Sequence, residues 1–311
     1  MNILVTGGAG YIGSVITKKL MEKGHNPFVL DNNPRSNVPG NFQGDLADTN
    51  LLEKIFKSKR IDAVIHLAGY IEVSESMREP LKYYQNNFCN TVNLVSAMLR
   101  NNVKNLVYAS SAAVYGQPET VPISEDAVKN PINHYGKTKL MSEELLESCS
   151  SLGLNSVSLR FFNASGSAYS LGERHSPETH FIPLLINAAI EKKSFKVNGN
   201  DFPTKDGTCV RDFIHVLDIA DAHVLALDKM KPGFNVYNIG SGIGYSVLEV
   251  IDVAKEIIGR DLEIEFGSRR EGDPAELVAS IEKIKLELGW EPKHGLKSIV
   301  HSALAYRILR D

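Results

Sequence analysis

Cysteine is scarce: the 311 residues hold three, Cys89, Cys149 and Cys209. Three widely spaced thiols, odd in number, give no disulfide framework and no metal cluster, so no metal is expected and a cytoplasmic location is. Long apolar runs are missing as well. Ile182 to Ile190 is among the longest, and a bilayer needs about 20 residues, so no membrane span is expected. No basic segment precedes the first apolar residues, as it would in a secretory leader; they read as a strand. Neither sign of charge dominates. There are 34 Lys and Arg against 37 Asp and Glu, a net charge of −3, which leaves no basic footprint for nucleic acid. Repeats and low-complexity tracts are absent, and Asn32 to Asn41, rich in Asn, Pro and Gly, reads as a loop. What remains is an ordinary globular composition, long enough for one large α/β domain or two closely joined ones.

The chain is organised around its first strand and turn. Ile3-Leu4-Val5 is a short apolar run that reads as a buried parallel strand. Thr6-Gly7-Gly8-Ala9-Gly10-Tyr11-Ile12-Gly13 follows, and Ile12, Val15, Ile16, Lys19 and Leu20 then recur at helical spacing. Strand, glycine turn and helix are the setting of a dinucleotide site. Gly7 suits the tight turn, Gly10 lets the backbone approach a pyrophosphate, and Gly13 lets the helix pack on the strand. The phosphates would sit at the positive end of that helix. The spacing G-x-x-G-x-x-G differs from that of ordinary dehydrogenases and resembles the short-chain dehydrogenase/reductase superfamily.

Pro27-Phe28-Val29-Leu30-Asp31 reads as the second strand, with Asp31 18 residues beyond Gly13. An acid there hydrogen-bonds the adenosine ribose hydroxyls of NAD and repels the extra phosphate of NADP. Arg35, just after, is either a phosphate contact or a solvated side chain. Gly44-Asp45-Leu46 closes a third short strand, and Asp48 or Thr49 can cap the next helix without Asp45. Ile61 to His66 is the fourth strand, running into Leu67-Ala68-Gly69; His66 reads as a packed strand-end residue. Pro80 opens a long helix to about Arg100. On it Asn87 either reaches the nicotinamide ribose or caps a neighbouring backbone group.

Leu106 to Ala109 is the fifth strand, followed by Ser110-Ser111-Ala112-Ala113-Val114-Tyr115-Gly116. Asn133-His134-Tyr135-Gly136-Lys137-Thr138-Lys139 then opens a helix through Glu147. Tyr135 and Lys139 are four apart and share a helix face. A free phenol titrates near pH ~10 and is a poor base, but a nearby ammonium favours the phenolate. Tyr135 can then take a hydroxyl proton as hydride leaves the same carbon, while Ser111 hydrogen-bonds that oxygen.

Several longer stretches go further: V-T-G-G-A-G-Y-I-G-S, S-E-S-M-R-E-P-L-K-Y-Y-Q-N-N, S-S-A-A-V-Y-G, H-Y-G-K-T-K, R-F-F-N-A-S-G and D-G-T-C-V-R-D-F-I-H-V-L-D-I-A. Nearly end to end, they resemble the UDP-galactose 4-epimerases of the extended short-chain dehydrogenase/reductase family. The resemblance implies a Rossmann-type doubly wound parallel sheet with a smaller C-terminal mixed α/β substrate domain. Residues 1–165, with contributions from about 208–240, would bind NAD, and residues 166–311 a UDP-sugar. It implies epimerisation at carbon 4 through a 4-keto intermediate, with Tyr135 as base. NAD contacts would come from Gly7, Gly10, Tyr11, Ile12, Gly13, Asp31, Asn32, Asn33, Ser36, Asp45, Leu46, Leu67, Ala68, Gly69, Asn87, Ser111, Tyr135, Lys139 and Phe162. It also implies a homodimer, built on the Pro80–Arg100 and Tyr135–Glu147 helices.

For the substrate the resemblance implies Asn163, His180, Phe181, Lys196, Val197 and Asn198 at the uridine and phosphates, besides Ser111 and Tyr135 at the sugar. Family members often have Asn where His180 stands and an aromatic where Asn198 stands. Arg211 and Arg270 would clamp the diphosphate, and Asp273 a ribose hydroxyl; the plain alternative is ion pairing with Asp212 and Asp273. Two departures matter. Ile71 stands where a cofactor-binding Lys is common. Leu277 closes the sugar pocket with a side chain between the Tyr that restricts it to plain hexoses and the smaller residues that admit N-acetylated ones. UDP-GlcNAc is therefore an alternative substrate; UDP-glucuronate is another, since a carboxylate at carbon 5 could be read by residues that the sequence does not place. A 4,6-dehydratase is disfavoured by Ala112 and Ala113, where an acid pair is common, and a non-catalytic NAD sensor by the retained Ser111, Tyr135 and Lys139.

Overall fold

A computed structural model describes residues 1–33, 41–175, 177–270 and 273–310. In chain order the first half runs β1 (Asn2–Thr6), α1 (Tyr11–Glu22), β2 (Asn26–Asp31), β3 (Phe42–Gln43), α2 (Thr49–Lys59), β4 (Ala63–His66), α3 (Val73–Arg78), α4 (Pro80–Tyr83), α5 (Asn90–Arg100), β5 (Asn105–Ser111), α6 (His134–Cys149) and β6 (Asn155–Phe161). The second half runs β7 (Asn163–Ser165), α7 (Phe181–Glu191), β8 (Phe195–Asn198), β9 (Val210–His215), α8 (Val216–Asp228), β10 (Phe234–Ile239), β11 (Gly244–Ser246), α9 (Val247–Ile258), β12 (Ile264–Gly267), β13 (Glu276–Leu277), α10 (Glu282–Leu288) and α11 (Leu296–Leu309). No helix among the described residues is long and apolar enough to cross a membrane.

The chain divides into two compact units. The first comprises Met1–Gly116, Val128–Phe161 and Ala220–Tyr237. It is built on a seven-stranded sheet ordered β10-β6-β5-β4-β1-β2-β3. The strands from β6 to β3 pair in parallel. Strands covered on both faces need continuous apolar runs, and Ile3, Leu4, Val5, Val64, Ile65, Leu106 and Val107 are fully buried. β1 pairs with β2 on one side and β4 on the other. The order reverses there, and the carboxyl ends of β1 and β4 mark the crevice where such sheets bind ligands. Helices seal the faces by the same logic. Asp48 caps α2 by accepting from the Leu51 N–H. One side of that helix buries Leu52, Ile55 and Phe56 in a shared core with Leu94 and Met98 of α5, each such side chain contributing about 1.5–3 kcal/mol.

The helix expected from Pro80 to Arg100 is not uniform. A π-helical turn, Tyr84–Cys89, separates α4 from α5. Such a turn inserts a residue into the 3.6 period and re-aims side chains. Asn87 lies in it, 2% exposed. Its amide accepts from Tyr70 N at 2.8 Å and donates to Tyr70 O at 2.9 Å.

The second unit comprises Gln117–Ala127, Phe162–Ile219 and Asn238–Asp311. β9 is the hub of a four-stranded sheet, pairing parallel with β7 and β13 and antiparallel with β11. β8 and β12 form a separate parallel pair. The core joins Ile182, Leu185 and Ile186 of α7 to Val250 and Ile251 of α9 and Ile299 and Val300 of α11. β6 stops at Phe161, and Asn163 opens β7.

Candidate active site

The glycine turn is a close-packed feature of the first unit. Gly7, at φ +71°, donates its N–H to Leu30 O at 2.9 Å. A Cβ on Gly7 would lie 2.7 Å from Ala68 N, and one on Gly13 only 2.2 Å from Gly7 O. The turn thus nests against the Leu67-Ala68-Gly69 segment leaving β4. No side chain among the described residues caps the N terminus of α1. Tyr11 and Ile12 are half-buried and Asn32 is exposed. Asp31 ends β2, accepting from Ala9 N at 2.9 Å and Asn33 N at 2.8 Å. Its carboxylate is therefore fixed beside the turn. Asp45 accepts from Ala47 N at 2.8 Å and Asn90 Nδ2 at 3.1 Å, while Leu46 is core. Arg35 and Ser36 lie outside the described residues.

Ser111 ends β5, its hydroxyl accepting from Ala113 N at 3.2 Å. Asn133 caps α6 by accepting from Gly136 N at 2.7 Å, which sets Tyr135 in the first turn. A Cβ on Gly136 would stand 2.5 Å from Ala113 O, so glycine after Tyr135 lets α6 press on the segment following Ser111. Lys139 is buried one turn on. Its ammonium donates to Ala109 O at 2.7 Å and lies 5.8 Å from the Tyr135 ring centroid and 4.9 Å from that of Tyr108. Burial draws the Lys139 pKa down to about 8, with Glu143 acting against it. Burial also pushes the Tyr135 phenol up, and the hydrogen bond with Ser111 works against that rise. An ammonium that releases its proton with unusual ease thus stands beside a phenol, in a setting where charge on either strongly affects the other.

His66 holds no base role. Its ring lies 2.7 Å from Thr6 Oγ1 and 2.9 Å from Thr91 Oγ1. Burial, reinforced by the Lys139 charge, takes its pKa from 6.5 to about 3. The unfolded chain therefore takes up the proton first. The His66 contribution to stability is full above about pH 6.5 and is lost as the pH falls towards 3, at about 1.4 kcal/mol per pH unit. Unfolding titrations should show a shallower acid slope for His66→Asn than for the wild type; equal slopes would mean a water-exposed imidazole.

In the second unit, Arg211 lies in β9 and donates from Nη2 to Asp273 Oδ1 at 2.6 Å. Asp212, on the other face of the strand, accepts from Ser241 N, Gly242 N and Ala279 N. Of the two ion pairs weighed from the sequence, the Asp273 pair forms. With its amide oxygen turned towards Arg270, Asn198 accepts from Nε and Nη2 at 3.2 and 3.3 Å. Burial pushes the Cys209 thiol pKa up, and the charges of Arg211, Asp273 and Arg270 all act on it. Leu277 sits beside Arg211 in the β13–β9 register, and Asn163 pairs with Phe213 further along β9. Lys196 is exposed. Phe181 and Val197 pack into the core, stacked around Phe195 and Phe213 in the case of Phe181, which leaves Val197 only its backbone for a ligand. Phe162 is buried. His180 precedes α7, with Nδ1 2.8 Å from Glu178 and 3.7 Å from Glu173. Burial disfavours its charge, but the two carboxylates outweigh that and raise its pKa. Those acid partners were missed in the sequence, where E-x-H at residues 173–175 and 178–180 is the available signal.

A sequence model of the NAD-dependent epimerase/dehydratase family matches residues 3–240. The chain belongs to this family. Within the family, the UDP-glucose 4-epimerase of Lactobacillus helveticus is 44% identical over 309 residues, covering 94% of this chain and 93% of that protein. The UDP-glucose 4-epimerase of Bifidobacterium longum, solved in complex with NAD+ and UDP, superposes with a TM-score of 0.94 at 36% identity, covering 99% of this chain and 98% of that one. The UDP-Glc/GlcNAc 4-epimerase of Campylobacter jejuni superposes with a TM-score of 0.86 at 40% identity, covering 99% of each chain. The family's cofactor fits the residues present here. A phosphate needs the close backbone approach that the glycine turn provides and an uncapped helix N terminus. A ribose diol needs an acceptor like Asp31 at the end of β2.

Proposed function

We propose that this epimerase/dehydratase family member interconverts UDP-glucose and UDP-galactose, acting as a cytoplasmic homodimer. The observation that carries the reading is the Ser111, Tyr135 and Lys139 constellation at the carboxyl end of β5, with Lys139 buried and the other two half-buried, in the same unit as a glycine turn shaped for NAD. NAD, when bound, supplies the hydride acceptor and donor. Tyr135 takes the proton of the hexose 4-hydroxyl, Lys139 stabilises the phenolate and Ser111 holds the same oxygen. The oxidised 4-keto sugar turns about its link to the diphosphate before reduction from the other face. Arg211 and Arg270 anchor the diphosphate, while Asn163, His180, Phe181, Lys196, Val197, Asn198 and Asp273 contribute to the nucleotide site. Anchoring on the nucleotide leaves the sugar free to present both faces, since binding strength can reside in the part that does not react.

A second reading concerns the sugar. Leu277 is shorter than Tyr, and a similar chain from Campylobacter jejuni is named for both Glc and GlcNAc, so UDP-GlcNAc is a proposed side substrate. The test is purified protein given UDP-glucose with no added cofactor, products resolved by chromatography. UDP-galactose should appear, which establishes the reaction and a retained NAD together. Turnover of UDP-GlcNAc or UDP-glucuronate alone would keep the mechanism and move the substrate. No turnover of any, with NAD bound, would overturn the proposal.

A further inference from the structure

An ion pair in the interior of the first unit has no part in the reaction as set out above. Glu143 and Arg160 are 3% and 1% exposed. Arg160 grips both carboxylate oxygens, Nε to Oε1 at 3.0 Å and Nη2 to Oε2 at 2.6 Å, and donates from Nη1 to the Tyr115 hydroxyl at 2.8 Å. Ser110 donates to the same carboxylate at 2.6 Å, and Ser110 and Arg160 are register partners across β5 and β6. Stability is a poor explanation for such a pair. Two buried charges are costly to desolvate, and apolar side chains of similar volume often do as well or better.

Position is a better one. Glu143 stands one turn beyond Lys139 and two beyond Tyr135, on one face of α6. Its partner Ser110 lies between Ala109, which accepts from the Lys139 ammonium, and Ser111. One carboxylate thus ties together the elements that carry all three reacting groups. We infer that Glu143, clamped by Arg160, is a positioning residue that holds α6 against the end of β5 and sustains the positive charge of Lys139 during proton transfer. This rests on Tyr135 being the base.

The ionisable groups around Lys139 are Tyr135 and Glu143 on α6, Tyr108 on β5 and His66 on β4, with Arg160 of β6 acting through the Glu143 carboxylate. Among the described groups acting directly, Glu143 supplies the carboxylate, while burial holds His66 neutral and keeps the Tyr108 phenol protonated. Burial draws Lys139 towards deprotonation and Glu143 resists it.

Glu143→Gln keeps the shape and a hydrogen-bond acceptor for Ser110 but removes the charge. The alkaline limb of kcat should move down by about one pH unit, so that at a pH on that limb kcat falls about tenfold, with KM for UDP-glucose within twofold and NAD retained. Glu143→Asp should restore part of the shift. Because a lone buried guanidinium is costly enough to threaten folding, E143Q/R160M is measured alongside and should show the same displaced limb. An unmoved limb in the folded variants, or a loss confined to KM, would overturn the inference. A wild-type rate in Tyr135→Phe would instead remove the base assignment beneath it.

Discussion

Tyr135→Phe should keep its NAD and lose about a thousandfold or more in turnover, towards the upper end of what general acid–base catalysis contributes. The change removes one oxygen from a half-buried ring on α6 and leaves the volume almost unaltered, so folding has little reason to suffer. Ser111 loses a hydrogen-bond partner. Lys139 keeps its bond to Ala109 O, but its ammonium no longer has a phenolate to stabilise. NAD content by absorbance and product formation by chromatography separate the outcomes. A variant within tenfold of wild type would end the case for Tyr135 as base. One with neither NAD nor activity would show that the ring serves cofactor retention instead.

Gly13→Ala should yield protein without NAD. The new methyl would fall 2.2 Å from Gly7 O and 2.8 Å from Gly8 Cα, so backbone rather than a pliable side chain must give way. Either α1 lifts from the turn or the turn opens, and both displace the N–H groups meant for the pyrophosphate. Loss of two or three such hydrogen bonds to a charged group, at about 1.5–3 kcal/mol each, weakens affinity by a hundredfold at least. Gly295→Ala is the control, since a Cβ there meets nothing within 4 Å. The ratio of bound NAD to protein after purification decides it. A variant as fully loaded as the control would mean that the turn does not hold the phosphates.

The cofactor side was largely legible in the sequence because its signals are local. A glycine turn, an acid at the end of the next strand and two side chains four apart on a helix all lie within short stretches whose period can be read directly. The π-helical turn was not legible, since its inserted residue leaves the apolar pattern on either side intact. Nor was the burial of Glu143. α6 buries Thr138, Lys139, Ser142 and Glu143, so a search for an apolar stripe reads that face as solvated. The nucleotide side depends on distant pairings. Arg211 meets Asp273 through the register of β9 with β13, which spacing along the chain does not encode. There the family resemblance supplied the candidates, and the structure then drew Val197 into the core.

The strand β10 has a consequence for biosynthesis. It forms one edge of the seven-stranded sheet, yet it comes from Phe234–Ile239, far downstream of its neighbour β6. A nascent chain that has emerged only as far as residue 165 has every strand of that sheet except its last. β6, with Val157 and Leu159 buried in the finished protein, then waits as an unpaired edge while some 70 further residues are made, at rates of about 5–20 residues per second. Through those seconds the cell is handling an open template for strand addition. The sheet closes only when the polypeptide returns from building much of its second unit.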